Sequence, residues 1–172
     1  KDTQFKTVIS GITYNFTTTT ATTIIPAAGV YSVTNLAIKE GTLLSNAYTV
    51  DLADPNQRFL IPNANVDTST VAVRVQNSAN DTAVVTWADG NALDVTTITS
   101  TQKVYFLQEV EEQKYEIFFG DGAVGKQLAD DNIVSIEYLI TGGSTANKAS
   151  TFTATGTVAG LTSANYTLTT VT

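Results

Sequence analysis

The sequence predicts an all-β chain of mostly antiparallel sheets, and three observations carry that prediction. Thr (31 residues), Val (17) and Ile (11) make up about a third of the 172 residues, and side chains branched at Cβ fit a pleated surface better than a helix. Several short runs alternate apolar and polar residues at period two, as half-buried strands do. Nowhere does a stretch long enough for a stable helix keep a 3.6-residue period; residues 94–101 and 125–131 make a short helical turn at best.

Residues 4–10 and 12–17 are two runs joined at Gly11, and Ile12, Tyr14 and Phe16 alternate with Thr13, Asn15 and Thr17. That pattern is a hairpin. Ile24-Ile25-Pro26 and Gly29 mark a turn before a further strand over residues 30–38, which ends near Glu40-Gly41. Asp54-Pro55-Asn56 is a turn signal, residues 58–62 form a short extended run, and Val71, Val73 and Val75 alternate with Ala72, Arg74 and Gln76. After a turn over 77–81 come a strand at 83–87, a turn at 88–91 and the apolar run 104–107, expected to be buried on both faces. Tyr115, Ile117 and Phe119 then alternate with Glu116 and Phe118, and Gly120-Asp121-Gly122 supplies the positive φ of a tight turn. Val134, Ile136, Tyr138 and Ile140 complete the centre, and two weaker runs, 151–158 and 166–171, follow with Phe152, Tyr166 and Leu168 as anchors. The predicted core is Val71, Val73, Val75, Trp87, Phe106, Ile117, Phe119, Ile136 and Tyr138, because period-two spacing puts each strand's set on one face.

Charge divides the chain into an N-terminal β flank (1–48), a central acidic β-domain (49–141) and a C-terminal β flank (142–172). Each flank nets +1 and the centre −9, and the flanks are the richer in Thr. Neither flank alone has enough large apolar side chains for a core, so the two are expected to pair as one small Thr-rich β-unit.

The composition excludes several functions. With no Cys and no His there is no thiol nucleophile, disulfide, imidazole base or Cys/His zinc site. A net charge of −7 with nine Lys and Arg argues against a nucleic-acid surface. No apolar stretch is long enough to span a membrane, mean hydropathy is +0.05, and Lys1 opens no charged-then-apolar leader. The absence of Met suggests an internal piece of a longer chain.

Four motifs invite chemistry. Gly120-Asp121-Gly122-Ala123-Val124-Gly125-Lys126 has the glycines and Lys of a phosphate-binding loop, but Gln127 replaces the magnesium-binding hydroxyl and no helix follows. Its glycines read instead as a structural turn of Gly120, Asp121, Gly122 and Gly125. Glu109, Glu111, Glu112 and Glu116 suggest a carboxylate pair for glycoside hydrolysis, yet Gln108, Gln113 and Lys114 make the segment look like an exposed turn. Asp130-Asp131-Asn132 lacks the spacing, Gly and distal Glu of a calcium loop. Trp87 and the Tyr residues could stack on sugars in a carbohydrate-binding or adhesin-like module, although at strand positions they belong more often to a core. No catalytic, cofactor-binding or metal-binding residue is therefore assigned, and no small-molecule substrate or membrane partner is expected.

The run VYFLQEVEEQKYEIFFGDGAVGKQLADDNIVSIEYLIT (104–141) is similar to a segment of the large baseplate-wedge protein of T-even-like contractile-tailed bacteriophages, including those of marine cyanobacteria. Upstream, RFLIPNANVDTSTVAVRVQNS (58–78) resembles the same protein in the same order, and the likeness covers about residues 41–147. The first flank, with Phe5, Gly11, Tyr14 and Phe16, looks more loosely like β-elements of the wider baseplate assembly family. The resemblance implies a structural component of the phage tail baseplate without catalysis. It also implies assembly with other baseplate wedge proteins, a homodimer in the full-length protein, and a place in the virion after assembly in the host cytoplasm.

Overall fold

A computed structural model describes residues 1–29, 31–158 and 160–161. It is an all-β chain of two sheets, mostly antiparallel, as predicted. The chain divides into one compact unit of Lys1–Leu43 with Leu139–Thr172 and a second of Leu44–Tyr138. The composition boundary at 48/49 thus falls within a strand and that at 141/142 just beyond one, because charge content does not track strand ends.

The first unit contains a four-stranded sheet in the order β11-β1-β2-β3. Strands β1 (Gln4–Ile9) and β2 (Ile12–Thr17) form the predicted hairpin, with Phe5 opposite Phe16 and Ile9 opposite Ile12. Its two-residue turn places Ser10 at φ 51° and Gly11 at φ 82°, the paired positive values that match the twist of the flanking strands. β3 (Lys39–Glu40) pairs with Phe16 and Thr17, and β11 (Thr153–Thr155) pairs with Gln4, Phe5 and Lys6, so both flanks contribute to one sheet. One face of it buries Phe5, Phe16 and Ala146, packed by Tyr14, Leu36, Ile38 and Phe152, whose ring meets Phe16 edge-on at 4.9 Å.

Two expectations for the flanks need correction. The run 30–38 is no strand among its described residues; Ala28, Gly29 and Asn35 take positive φ and break the extension, leaving Leu36 and Ile38 as apolar anchors. In the last flank only residues 153–155 of the run 151–158 form a strand, with an isolated bridge between Val158 and Leu161. The run 166–171, with Tyr166 and Leu168, lies outside the described residues.

The second sheet has seven strands in the order β4-β10-β6-β7-β8-β9-β5. These are β4 (Thr42–Thr49), β5 (Phe59–Ile61), β6 (Val66–Gln76), β7 (Val84–Asp89), β8 (Val104–Glu109), β9 (Tyr115–Phe119) and β10 (Ile133–Ile140). All the registers seen between β5 and β9, β6 and β7, and β8 and β9 are antiparallel, whereas β7 and β8 run parallel through Ala88 and Val104. That parallel step needs a crossover, made by residues 90–103 through two 3-10 turns, Gly90–Ala92 and Val95–Thr97.

Cross-strand pairs stack the core in rows: Val73 against Trp87, Val75 against Val85, Tyr105 against Phe119 and Leu107 against Ile117. Ile61, Val73, Val104, Val134, Ile136, Tyr138 and Leu139 have no exposed surface, and burying each large aliphatic side chain stabilises the fold by roughly 1.5–3 kcal/mol. Of the predicted core, Val73, Val75, Trp87, Ile117, Ile136 and Tyr138 are buried, but Val71, Phe106 and Phe119 are only half-buried. Phe106 points to the other face, where a Cβ on Gly90 would come within 2.6 Å of its ring. The apolar run 104–107 is accordingly buried at Val104 and Tyr105 and half-buried at Phe106 and Leu107.

Candidate functional site

The Gly120–Lys126 segment follows β9 and is held by its own acid. Asp121 Oδ1 accepts from the backbone N–H of Ala123 at 2.9 Å and of Val124 at 3.0 Å, which keeps the carboxyl below the usual carboxylate range. Gly122 N donates to Gly125 O at 3.1 Å, Gly125 N to Thr99 O at 3.2 Å and Lys126 N to Gln102 O at 2.8 Å, fastening the loop to the crossover before β8. A phosphate-binding loop needs free amides converging on an anion. Here a carboxylate already takes two of those amides.

The glycines act differently from the expectation in one respect. Gly122 (φ 87°) and Gly125 (φ 82°) occupy the left-handed region, but Gly120 does not. Gly120 is required by close approach: a Cβ there would lie 2.3 Å from Gly125 C and 2.4 Å from Gly125 O.

The four glutamates do not converge on a reaction centre. β8 and β9 form a hairpin closed by a 3-10 turn, Glu111–Gln113, in which Glu112 and Gln113 take positive φ and Lys114 Nζ lies 2.6 Å from Glu112. Glu109 and Glu111 are exposed. Glu116, by contrast, is buried, and Arg58 Nε sits 3.0 Å from both carboxylate oxygens with Nη2 completing a two-pronged pair. The sequence did offer a signal for this pair: Glu116 is the lone acid in an aromatic run, and such a position needs a cation. Arg74 and Glu137, 3.1 Å apart, make a second pair.

Asp130-Asp131-Asn132 is a turn in which Asp130 and Asn132 are engaged by the surrounding chain. Asp130 Oδ1 accepts from Leu52 N, Asn132 Oδ1 accepts from Ala129 N, and Asn132 Nδ2 donates to Asn77 O. The same use of acids recurs throughout the acidic centre. Asp51, Asp54, Asp67, Asp81, Asp89, Asp94 and Asp121 each accept from the backbone N–H two residues on, so much of the negative charge builds turns.

Trp87 is 5% exposed, too covered to stack on a sugar. It ends a chain of edge-to-face rings, Trp87 to Phe119 at 5.2 Å, Phe119 to Phe59 at 5.3 Å and Phe59 to Tyr48 at 5.7 Å. Tyr138 is wholly buried, donates to Asn63 Oδ1 at 2.6 Å and accepts from Asn46 Nδ2 at 3.3 Å. Tyr105 donates to Val71 O at 3.2 Å, and burial pushes its phenol up to about 12. Among the described residues, His, Cys, Asp and Glu form no cluster able to hold a metal ion.

These features define a class of protein: an all-β module in which Asp121, Glu116, Trp87 and Gly120 are spent on a turn, an ion pair, the core and a close backbone approach. The particular family follows from comparison. The chain belongs to the family described as bacteriophage baseplate wedge protein gp6, third domain, whose family model matches residues 47–153. No curated protein matches the chain at a significant level. Family membership makes it a part of the phage tail baseplate wedge, with a structural role in protein assembly.

Proposed function

We propose that this chain is a non-catalytic scaffold module of the baseplate wedge, working by surface complementarity with other wedge proteins. The family match over residues 47–153 carries the reading. The candidate residues add support, because Glu116 is committed to Arg58, Asp121 to its own loop and Trp87 to the core. The finer parts of the proposal, a cyanophage-type homologue, a homodimer of the full-length protein and assembly in the host cytoplasm, rest on the sequence resemblance. A carbohydrate-binding role through Trp87 and the Tyr residues would need an exposed aromatic platform, and Trp87, Tyr105 and Tyr138 are buried.

Mass spectrometry of purified, DNA-free tails tests the proposal. Peptides from residues 47–153 should appear there in constant ratio to other wedge proteins and cross-link to them. Their absence from purified tails would overturn it.

A further inference from the structure

No charged side chain occurs between Lys6 and Lys39. Within that stretch residues 18–25 read Thr-Thr-Thr-Ala-Thr-Thr-Ile-Ile, all but Ala21 branched at Cβ. Such a run favours extended, paired backbone. Yet it belongs to no strand. β2 ends at Thr17, Thr18 N donates to Thr3 O at 3.0 Å, and residues 19–25 then make no hydrogen bond among the described residues. Residues 20–23 are exposed, and Ile25 is 83% exposed. Solvated connections are ordinarily charged or rich in Gly, Pro and Ser, so this segment conflicts with its surroundings. It is also tethered at both ends, by the Thr18–Thr3 bonds and by Leu36 and Ile38 packed on the Phe5 and Phe16 core.

We propose that residues 19–25 are a donor strand that adds to the open, uncharged sheet edge of a different protein in the assembly. The inference rests on the wedge reading above. The N–H and C=O groups of this segment have no protein partner among the described residues, its β-branched side chains favour a backbone ladder, and a segment without charge offers nothing to an ionic partner. A second copy of the chain lacks a suitable acceptor among its described residues. Edge strands β3 and β11 have two and three residues, β1 and β2 leave only residues 7–9 and 12–14 unpaired beyond them, and edge β4 is bridged to β5 by Tyr48. A seven-residue strand needs a longer edge than β1, β2, β3 or β11 leaves, and β4, long enough at eight residues, already faces β5.

Hydrogen exchange on the isolated chain and on purified wedge containing it tests the proposal. Amides 19–25 should exchange freely in the isolated chain, and alternate ones should slow by about 100-fold in the wedge, because only every second N–H of a strand faces one neighbour. Equal slowing of all of them, or none in a wedge that contains the chain, would overturn the donor strand while leaving the wedge reading intact. A chain that never enters the wedge would overturn both. Protection that grows with concentration of the isolated chain would make a second copy the occupant and also overturn it. Thr22→Pro and Thr23→Pro supply a second readout: one should lower incorporation by about tenfold and the other little, since proline removes a single donor. Neither should change Tm, and equal effects on incorporation would contradict the ladder.

Discussion

The hydroxyl of Tyr48 on β4 donates to the backbone carbonyl of Leu60 on β5, joining the two strands that end the seven-stranded ladder. Consecutive in sequence, β4 and β5 lie at opposite ends of the hydrogen-bonded order, so the sheet curls until its edges meet. The seam is made of side chains. Tyr48 and Phe59 touch edge-on across it, and the buried phenol of Tyr138 ties Asn46 of β4 to Asn63 beyond β5. Closing a sheet this way removes the open edges that invite unwanted pairing.

Tyr48→Phe should therefore lower stability by about 1 kcal/mol, the loss of one hydrogen bond with the ring contact kept. Tyr48→Ala also removes the first ring of the aromatic chain and should cost about 3 kcal/mol or more. Urea denaturation of the two variants checks the order, and equal losses would mean that the hydroxyl rather than the ring closes the seam.

The glycine loop gives a ranked expectation. Gly120→Ala drives a methyl into the Gly125 backbone and should cost about 3 kcal/mol, as overpacking against immobile atoms does. Gly122→Ala makes only ordinary contact, 3.9 Å from Gln127 Oε1, and has its positive φ alone to oppose it, so about 1 kcal/mol is expected, and Gly122→Val should cost at least as much. Lys126→Ala should change little. Thermal melts that placed Gly122→Ala above Gly120→Ala would contradict the close-approach argument.

How much of this was legible beforehand depends on which residues face inward. β1, β2 and β9 were readable because aromatic residues sit at period-two positions on them, at Phe5, at Tyr14 and Phe16, and at Tyr115 and Phe119, and because their turns carry glycine, as at Gly11 and Gly120. β4 was missed: its half-buried positions alternate as Leu44, Asn46 and Tyr48, and a polar Asn in the middle conceals the period. β6 was read only from Val71 because its first half, Val66 to Thr70, is polar with Thr68 and Ser69 exposed. The same cause hid the seam, whose Asn46, Asn63 and Tyr138 contacts join residues far apart in sequence. The Gly120 loop was recognised as a turn, but the role of Gly120 itself rests on a close approach that no spacing reveals.

Arg58 and Glu116 should behave as a unit. Arg58→Met leaves a buried carboxylate without its cation and should destabilise the chain more than Arg58→Met combined with Glu116→Leu, which removes both charges. A double-mutant cycle by denaturant unfolding measures the coupling. Additive single losses would mean that the two side chains do not sense each other.

Acid should loosen the central turns. Hydrogen bonds to backbone or side-chain donors hold Asp81, Asp94 and Asp121 below the usual carboxylate range. A carboxyl with a depressed folded pKa adds stability that is fully present above its unfolded value, near about 4, and is lost as pH falls through the folded value. Tm should thus hold level from pH 7 to about 5 and decline below about 4. Asp121→Asn should show a shallower decline, and an unchanged acid slope would remove Asp121 from the account.

The central claim is that this chain is built into the baseplate wedge as a scaffold, and a side-chain-resolution electron cryomicroscopy map of intact tail baseplates tests it most directly. The account predicts wedge density that fits the seven-stranded sheet, recognisable by the Tyr48, Phe59, Phe119 and Trp87 rings, with neighbouring wedge proteins packed on its surface. A wedge fully accounted for by other proteins, with no density for this sheet, would contradict it.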